Sequence, residues 1–175
     1  MIYSTPVSGR NVFSSWIGAT FILICLSLAA SAQELPPKPI SIYANPAQGL
    51  MFGAFFQGPT GGSVIIYPDG SRSVTGSVIG ANLGFIFSPA IFEVTANPGT
   101  LISILNGPDV LLNGSHGGSI LLHIGSSSGG SPFIATATAP ATTQVRIGGT
   151  LTMGSPLANP SGAYSGFFSI TFIQE

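Results

Sequence analysis

The side chains of this sequence that could do acid–base or metal chemistry are few and scattered. The histidines are His116 and His123, and two of the acidic residues, Asp69 and Asp109, each follow a proline in a turn-like segment. Metal ligands on one strand are expected at i and i+2, whereas the spacing of these histidines puts them on opposite faces or on different elements. An aspartate in such a turn bonds to its own backbone, and no closely spaced carboxylates of the calcium-binding kind are present. The pattern therefore predicts no metal site and no cofactor.

Nucleophilic catalysis has little support in the sequence. The members of a Ser-His-Asp triad come together only in the folded protein, so their spacing in the sequence does not exclude a triad. The chain has few titratable groups from which one could be built. The glycine-rich segments 58–62 and 114–118 lack the strand-to-helix setting in which such a loop holds phosphate, and we interpret them as hairpin loops. The sequence therefore predicts a protein that is not an enzyme.

Charge is unusually low along the whole chain. Charged residues make up 5% of it and the formal net charge is -1, whereas globular domains carry about 25% charged residues. After residue 32 the cations are Lys38, Arg72 and Arg146, which are too few to form the basic patch that nucleic-acid binding requires. Such a chain suits packing against copies of itself or anchoring at a surface, although a soluble domain with a Ser/Thr/Gly/Asn surface remains the alternative.

The N-terminal residues have the pattern of a secretory signal peptide. Arg10 precedes an apolar run over residues 16–30, and Ala30 and Ala32 form a small-residue cleavage pattern before Gln33. We expect export by the Sec route to the periplasm, the outer surface or the extracellular space, with no stable membrane span once the signal is removed. An uncleaved anchor is the alternative. Cys25 lies within the apolar run, so the exported chain has no disulfide.

Beyond the signal, the apolar pattern is that of β-strands. Val145, Ile147, Leu151 and Met153 alternate with polar residues at the period of two that a half-buried strand shows. The final segment, 164–173, looks apolar on both sides. The predicted strand segments are 40–44, 50–57, 63–67, 71–78, 91–96, 101–106, 110–112, 119–124, 145–153 and 164–173.

Turn-forming residues separate these segments. Residues 68–70, 97–99, 106–107 and 113–114 have turn or hairpin chemistry, and 126–131 reads as a flexible Ser/Gly loop. Many short strands divided by such turns predict a sandwich or barrel. The predicted organisation is a signal-peptide helix (1–32), an extended Pro-rich leader (33–39) and one antiparallel β domain (40–175).

Particular residues at both ends of this domain resemble a known family. They are the Ile40-Ser41-Ile42 segment followed by 50–55, and the segment 145–151 followed by a Gly-x-Tyr-x-Gly ending at Gly162, Tyr164 and Gly166. Together they resemble the exported bacterial family catalogued as domain of unknown function 4402. The resemblance implies an Ig-like antiparallel β-sandwich of Gram-negative bacteria with no established activity.

The same ending is similar to that of pilin subunits assembled by strand donation. Those subunits have a glycine where Gly162 stands, but they end with a penultimate tyrosine where this chain has Gln174. A sandwich that lacks one strand exposes a groove that a neighbour's segment can fill. Segment 33–44 is a candidate donor, with Ile40 and Ile42 alternating toward the groove; the alternative, which we favour, is that 40–44 pairs within its own domain. The candidate edge residues are Gly162, Tyr164, Gly166, Phe168, Ile170 and Phe172.

The expected function follows from the low charge, the absence of catalytic clusters and the C-terminal segment that is apolar on both sides. We expect a non-catalytic structural or adhesive protein of the cell surface, of a fimbria-like kind, which associates with itself or with other surface subunits through strand edges. The alternative is a secreted carbohydrate- or ligand-binding module. Sugar rings usually stack on exposed aromatic side chains, but the exported part has no Trp, and Tyr43, Tyr67 and Tyr164 fall within predicted strands.

Overall fold

The computed structural model of this chain describes residues 38–175. The predicted signal peptide, its cleavage residues Ala30, Ala32 and Gln33, and the leader up to residue 37 lie outside the described residues. The described part is all-β, and its one helical element is a 3-10 turn at Pro46–Gln48. None of its elements is a helix with the length and apolar character needed to cross a membrane.

The strands are short and follow each other closely along the chain. In order they are β1 Ser41–Ala44, β2 Met51–Phe52, β3 Ala54–Phe56, β4 Gly62–Ile66, β5 Arg72–Gly76, β6 Ile79–Ala81, β7 Phe87–Ser88, β8 Ala90–Thr95, β9 Leu101–Asn106, β10 Val110–Gly114, β11 Ser119–Ser127, β12 Phe133–Ile134, β13 Thr143–Met153, β14 Tyr164–Ser165 and β15 Ile170–Gln174.

These strands form two layers with antiparallel ladders. The main sheet has the order β1-β8-β13-β11-β10-β14, and β4 pairs with both β13 and β5. The other ladders are a three-stranded sheet, β12-β9-β15, and the strand pairs β2–β7 and β3–β6. Buried side chains of the main sheet and of β9 and β12 pack together as one apolar core. This arrangement confirms the predicted antiparallel β-sandwich.

Strand β13 runs through the middle of the main sheet and shows why the alternating pattern predicted a strand. Val145, Ile147, Leu151 and Met153 are buried, while Arg146 and Thr152 between them are exposed. Successive side chains of a strand point to opposite faces, so one face of β13 lies on the core and the other faces solvent. The period-two prediction for 145–153 is confirmed.

One edge of β13 is shared by two strands. Its first half pairs with β8, as far as Ile147 opposite Ala90, and its second half pairs with β4, from Gly149 opposite Ile66. Gly148 lies between the two ladders, where a Cβ atom would overlap the Ile66 carbonyl oxygen. The change of partner therefore depends on the absence of a side chain at this position.

The other edge of β13 pairs with β11, which contains a bulge. The register moves from Ile124 opposite Gly149 to Ser127 opposite Ile147, so β11 has one residue more than β13 at this point. A bulge leaves backbone groups without ladder partners. Asn106, at the end of β9, donates its side-chain amide to the carbonyls of Ile124 (3.2 Å) and Gly125 (2.9 Å) and so joins the second layer to the bulge.

The C-terminal segment 164–173 was predicted to be a single strand, but in the structure it contains two. Tyr164–Ser165 pairs with β10 in the main sheet, whereas Ile170–Gln174 pairs with β9 in the three-stranded sheet. The residues between them cross from one layer to the other, because no single straight strand can pair with both. The predicted second apolar side is solvent-exposed: Phe167 is 95% exposed and Ile173 is 44% exposed.

Several turns also lie elsewhere than the sequence predicted. Asn113 and Gly114 belong to β10, and the turn follows at Gly117 and Gly118, whose φ angles of 86° and 73° are left-handed. The predicted hairpin at 106–107 is instead a crossing between layers, since β9 and β10 belong to different sheets. The predicted loop 126–131 begins within β11. No sequence pattern predicted β6, β7 and β12 as separate strands, since they have two or three residues each.

Candidate functional site: an uncharged groove between strand edges

The residues that could do acid–base chemistry do not gather at one place. In residues 38–175 no group of three or more His, Cys, Asp or Glu side chains is arranged to hold a metal ion. His116 lies in the β10–β11 turn, where its Nδ1 is 2.9 Å from the Ser161 carbonyl oxygen. His123 is an exposed residue of β11. The two histidines are thus held by separate contacts.

His123 makes a side-chain contact that the sequence did not predict. Its Nδ1 is 2.7 Å from Oδ1 of Asp109, with both side chains largely exposed. Asp109 was expected to bond to its own turn backbone, and that prediction was wrong. No Ser or Thr hydroxyl of the described chain hydrogen-bonds to His123, so this pair lacks the nucleophile of a triad.

Residues 125–129 form a Gly-x-Ser-x-Gly pattern, which the sequence-based predictions did not include. In hydrolases this pattern forms a sharp turn between a strand and a helix that exposes the serine. Here Ser127 is the last residue of β11, and its Oγ donates to the Gly130 carbonyl at 2.7 Å. The next element is strand β12, so the pattern does not have the setting of a nucleophile elbow.

Asp69 has the turn role that the sequence predicted. Its Oδ1 accepts hydrogen bonds from Oγ of Ser71 at 2.6 Å and from the backbone N–H of Ser71 at 2.8 Å. These bonds lower the pKa of the Asp69 carboxyl below its ordinary value, and the bond from the Ser71 hydroxyl contributes most. The carboxylate closes the hairpin between β4 and β5, where Gly70 has a φ of 89°.

The Asp69 turn should make a small, pH-dependent contribution to stability. Because the folded-state pKa is lowered, the contribution is present above the ordinary pKa of 3.8 and is lost as the pH falls through the folded-state value. We expect Asp69→Asn to lower the urea midpoint at neutral pH, with the difference from wild type shrinking in acid. Ser71→Ala should move the pKa of Asp69, followed by NMR, back toward 3.8. An unchanged titration in Ser71→Ala would contradict the assigned cause.

One candidate site is a groove of about 880 Å³ with an apolar floor. Its floor consists of buried core side chains from the main sheet, and none of the residues lining it is charged. A sandwich normally covers such side chains with strands of the opposite layer. Here each of these side chains lines the groove while being at most 8% exposed. The floor residues are Leu112, Ile120, Leu122 and Leu151.

One wall of the groove is residues 50–57, which include β2 and β3. Gly53, with a φ of 69°, separates the two strands. Arg72 contacts this break: its guanidinium donates to the carbonyls of Phe52 (3.2 Å) and Ala54 (3.1 Å) and lies 4.4 Å from the centre of the Phe87 ring. The cation therefore fixes the wall on the side of β7, and Arg72 is not among the residues lining the groove.

The opposite wall is residues 160–168, which contain the Gly-x-Tyr-x-Gly pattern. A Cβ at Gly162 would come within 2.7 Å of Oγ of Ser115, and a Cβ at Gly166 within 2.7 Å of a Leu112 methyl. Between them, the half-buried Tyr164 packs on the core and donates its hydroxyl to the Pro160 carbonyl at 2.6 Å. The two glycines are thus required for the wall to lie closely on the β10–β11 hairpin.

Buried Asn159 anchors the loop that leads into this wall. Its Oδ1 accepts from the Gly154 N–H at 2.6 Å, and its Nδ2 donates to the Ser119 carbonyl. A buried amide without such partners would be strongly destabilising. Neither Asn159 nor Arg72 was predicted from the sequence, because Asn159 also binds Ser119 and Arg72 binds Phe52 and Ala54, which are distant along the chain.

The strands of both walls have open edges. Within residues 38–175, β2 pairs only with β7 and β3 only with β6, and neither partner strand lines the groove. On the opposite wall, β14 pairs only with β10, and residues 166–168 belong to no strand. Unpaired strand edges therefore lie on both sides of the apolar floor.

Exposed apolar side chains extend the groove at its rim. Phe85 is 70% exposed, Ile86 is 73% exposed and Phe56 is 60% exposed, and all three line the groove. Ile79 pairs opposite Phe56 and is also exposed. Contiguous exposed apolar surface of this kind marks an interaction site in soluble proteins.

The predicted edge residues fall at three places. Gly162, Tyr164, Gly166 and Phe168 line the groove. Ile170 and Phe172 belong to β15, where they are half-buried and pack on the core but do not line the groove. Ile40 packs on the core and Ile42 lies in β1, which pairs with β8 of the same chain. The favoured pairing of 40–44 within its own domain is the one observed.

Fold and groove together define a class of protein: an antiparallel β-sandwich whose described residues hold an open apolar groove and no metal-binding cluster. The family model "Domain of unknown function (DUF4402)" matches residues 41–173, and the chain therefore belongs to that family. No curated protein and no solved structure matches the chain. The family resemblance of the two terminal segments is confirmed, whereas the similarity to pilins stays a prediction.

Proposed function

We propose that this protein is an exported, non-catalytic structural or adhesive subunit of the cell surface, of a fimbria-like kind. The observation that carries the proposal is the groove with its apolar floor, its uncharged lining and its open strand edges. An edge of this kind is a template for pairing with another chain, and monomeric proteins normally cover or charge it. Export is supported by the signal-peptide pattern of residues 1–32.

Low charge supports the same proposal. With 5% charged residues, the chain has little of the repulsion that keeps copies apart in solution. Arg72 contacts one wall of the groove, and its guanidinium is engaged by two carbonyls and an aromatic ring. Association driven by apolar surface and strand pairing is therefore favoured over association driven by charge.

The proposal predicts concentration-dependent assembly of the exported chain. We expect oligomers or filaments in size-exclusion chromatography and negative-stain microscopy, and we expect Phe85→Ser combined with Ile86→Ser to shift the protein toward monomer. Both side chains are mostly exposed, so the folded monomer should be unaffected. Leu105→Ser combined with Ile134→Ser, at 60% and 58% exposure on the three-stranded sheet, is the matched control. A wild-type monomer at all concentrations would contradict self-assembly.

A second candidate is a secreted ligand-binding module, which the exposed Phe56 and Phe85 at the groove rim favour. Sugars need hydrogen-bonding groups beside an aromatic ring, and the long polar side chain in this lining is Gln57, whose amide is engaged by the Gly154 carbonyl. We therefore expect no binding on a glycan array. Specific binding to one glycan class would favour this second candidate.

A further inference from the structure

The groove has the features of a site for one more strand. We propose that it accepts a single extended segment of another polypeptide chain, uncharged and with apolar side chains at alternate positions. The inference rests on the proposed function and names the kind of partner that the site takes. Its basis is the combination of open edges on both walls with buried core side chains on the floor.

The walls favour a polypeptide over a lipid or another small apolar molecule. Backbone N–H and C=O groups along an open edge need hydrogen-bond partners once water is displaced. An extended peptide supplies these groups at the spacing of the ladder, which is how strands add to sheet edges. A hydrocarbon chain would cover the floor but leave the edges of β3 and of 164–168 unpaired.

The floor and the lining determine the side chains of the added strand. Alternate residues would point onto Leu112, Ile120 and Leu122, and burying an unpaired charge against them would be strongly unfavourable. No lining residue carries a charge that could pair with one. The intervening residues would face solvent and can be polar. The added strand should have about five to eight residues, at about 3.3 Å per residue, because one wall is residues 50–57 and the part of the opposite wall from Tyr164 onward is residues 164–168.

These requirements exclude most of the donor segment that the sequence suggested. Residues 33–39 contain Glu34, Lys38 and three prolines. The charges do not suit an uncharged groove, and proline lacks the N–H that a central strand must donate. Residues 40–45 have the right chemistry, being uncharged with Ile40, Ile42 and Ala44 at alternate positions, but in this chain Ser41–Ala44 is paired with β8. The occupant is therefore supplied by another chain.

The first test uses a synthetic peptide of residues 40–45, Ile-Ser-Ile-Tyr-Ala-Asn, with blocked termini to remove their charges. We expect it to bind the exported chain with a dissociation constant of about 1 mM or lower. In hydrogen exchange followed by NMR, amides of 54–57 and of 165–168 should become protected. The same peptide with Asp at its first and third positions should not bind.

Variants of the protein locate the binding. Ala163 is exposed and lines the groove, so Ala163→Asp should leave the fold intact and weaken peptide binding at least about tenfold, or about 1.4 kcal/mol. Ala141→Asp, at an exposed site in the turn before β13, is the matched control and should bind as wild type does. Equal binding by both variants would overturn the assignment to the groove.

The outcomes separate this inference from the proposed function. If the chain assembles but amides of both walls stay unprotected in the assembly and with the peptide, the groove does not accept a strand, although the structural role stands. If the chain stays monomeric yet the peptide protects both walls, self-assembly is wrong and the strand site is supported. Dodecyl maltoside is a further probe: if it shifts the floor methyl signals and the peptide protects no amide, the site binds hydrocarbon and the inference fails.

Discussion

Ile147→Asp is expected to abolish folding of the sandwich. Ile147 is 0% exposed and lies in β13, between Ala90 of β8 and Ser127 of β11. An ionised carboxylate at this position would have neither water nor a cation, since Arg146 points to the opposite face. The cost of several kcal/mol is comparable to the whole stability of a domain, which is about 5–15 kcal/mol.

The matched control is Thr152→Asp on the same strand. Thr152 is exposed on the solvent face, so its replacement should change the free energy of unfolding by no more than about 0.5 kcal/mol. Circular dichroism and urea unfolding of the two variants provide the comparison. A soluble Ile147→Asp protein with a cooperative unfolding transition would mean that the core face of β13 is wrongly assigned.

Gly148→Ala is the second change expected to have a large effect. The new methyl would overlap the Ile66 carbonyl oxygen and lie 3.2 Å from Cδ of Pro68. The carbonyl belongs to the backbone of β4, so relief requires β4 to move away from β13 and to weaken the ladder that starts at Gly149 and Ile66. Overpacking in cores costs up to about 3 kcal/mol, and a backbone contact should place this variant at that end of the range.

Gly49→Ala is the control for adding a methyl group to a glycine. Gly49 has a φ of -68°, which any residue adopts, and no heavy atom lies within 4 Å of the position that a Cβ atom would take there. We expect unchanged or slightly raised stability, because alanine restricts the unfolded chain. Urea midpoints that fall equally in both variants would show that the Ile66 contact is not the cause.

Local patterns were sufficient for much of the strand assignment. Alternation at Val145, Ile147, Leu151 and Met153 predicted the buried face of β13, and the Pro-Asp-Gly turn predicted the hairpin that Asp69 closes. Both features depend on neighbours within a few residues. The Gly-x-Tyr-x-Gly pattern was visible in the sequence, but the close contact of Gly162 and Gly166 with the β10–β11 hairpin depends on the tertiary structure.

The errors share a physical cause. A hydrogen bond between strands can join residues that are far apart in sequence, and the local sequence does not indicate which strand will be the partner. The division of 164–173 between two layers, the displaced turn after β10 and the His123–Asp109 contact all depend on such distant partners. The strand pairs β2–β7 and β3–β6 are too short to have a pattern of their own.

By itself, the sequence determined the fold class, the sparse charge and the faces of the longer strands, because these follow from composition and from the period of apolar residues. Only the tertiary structure decided that β1 pairs with β8, that β13 changes partner at Gly148 and that two open-edged walls flank an uncharged floor. Such a groove depends on which strand edges the assembled layers leave without a neighbour, and this is a property of the whole fold and not of any one segment.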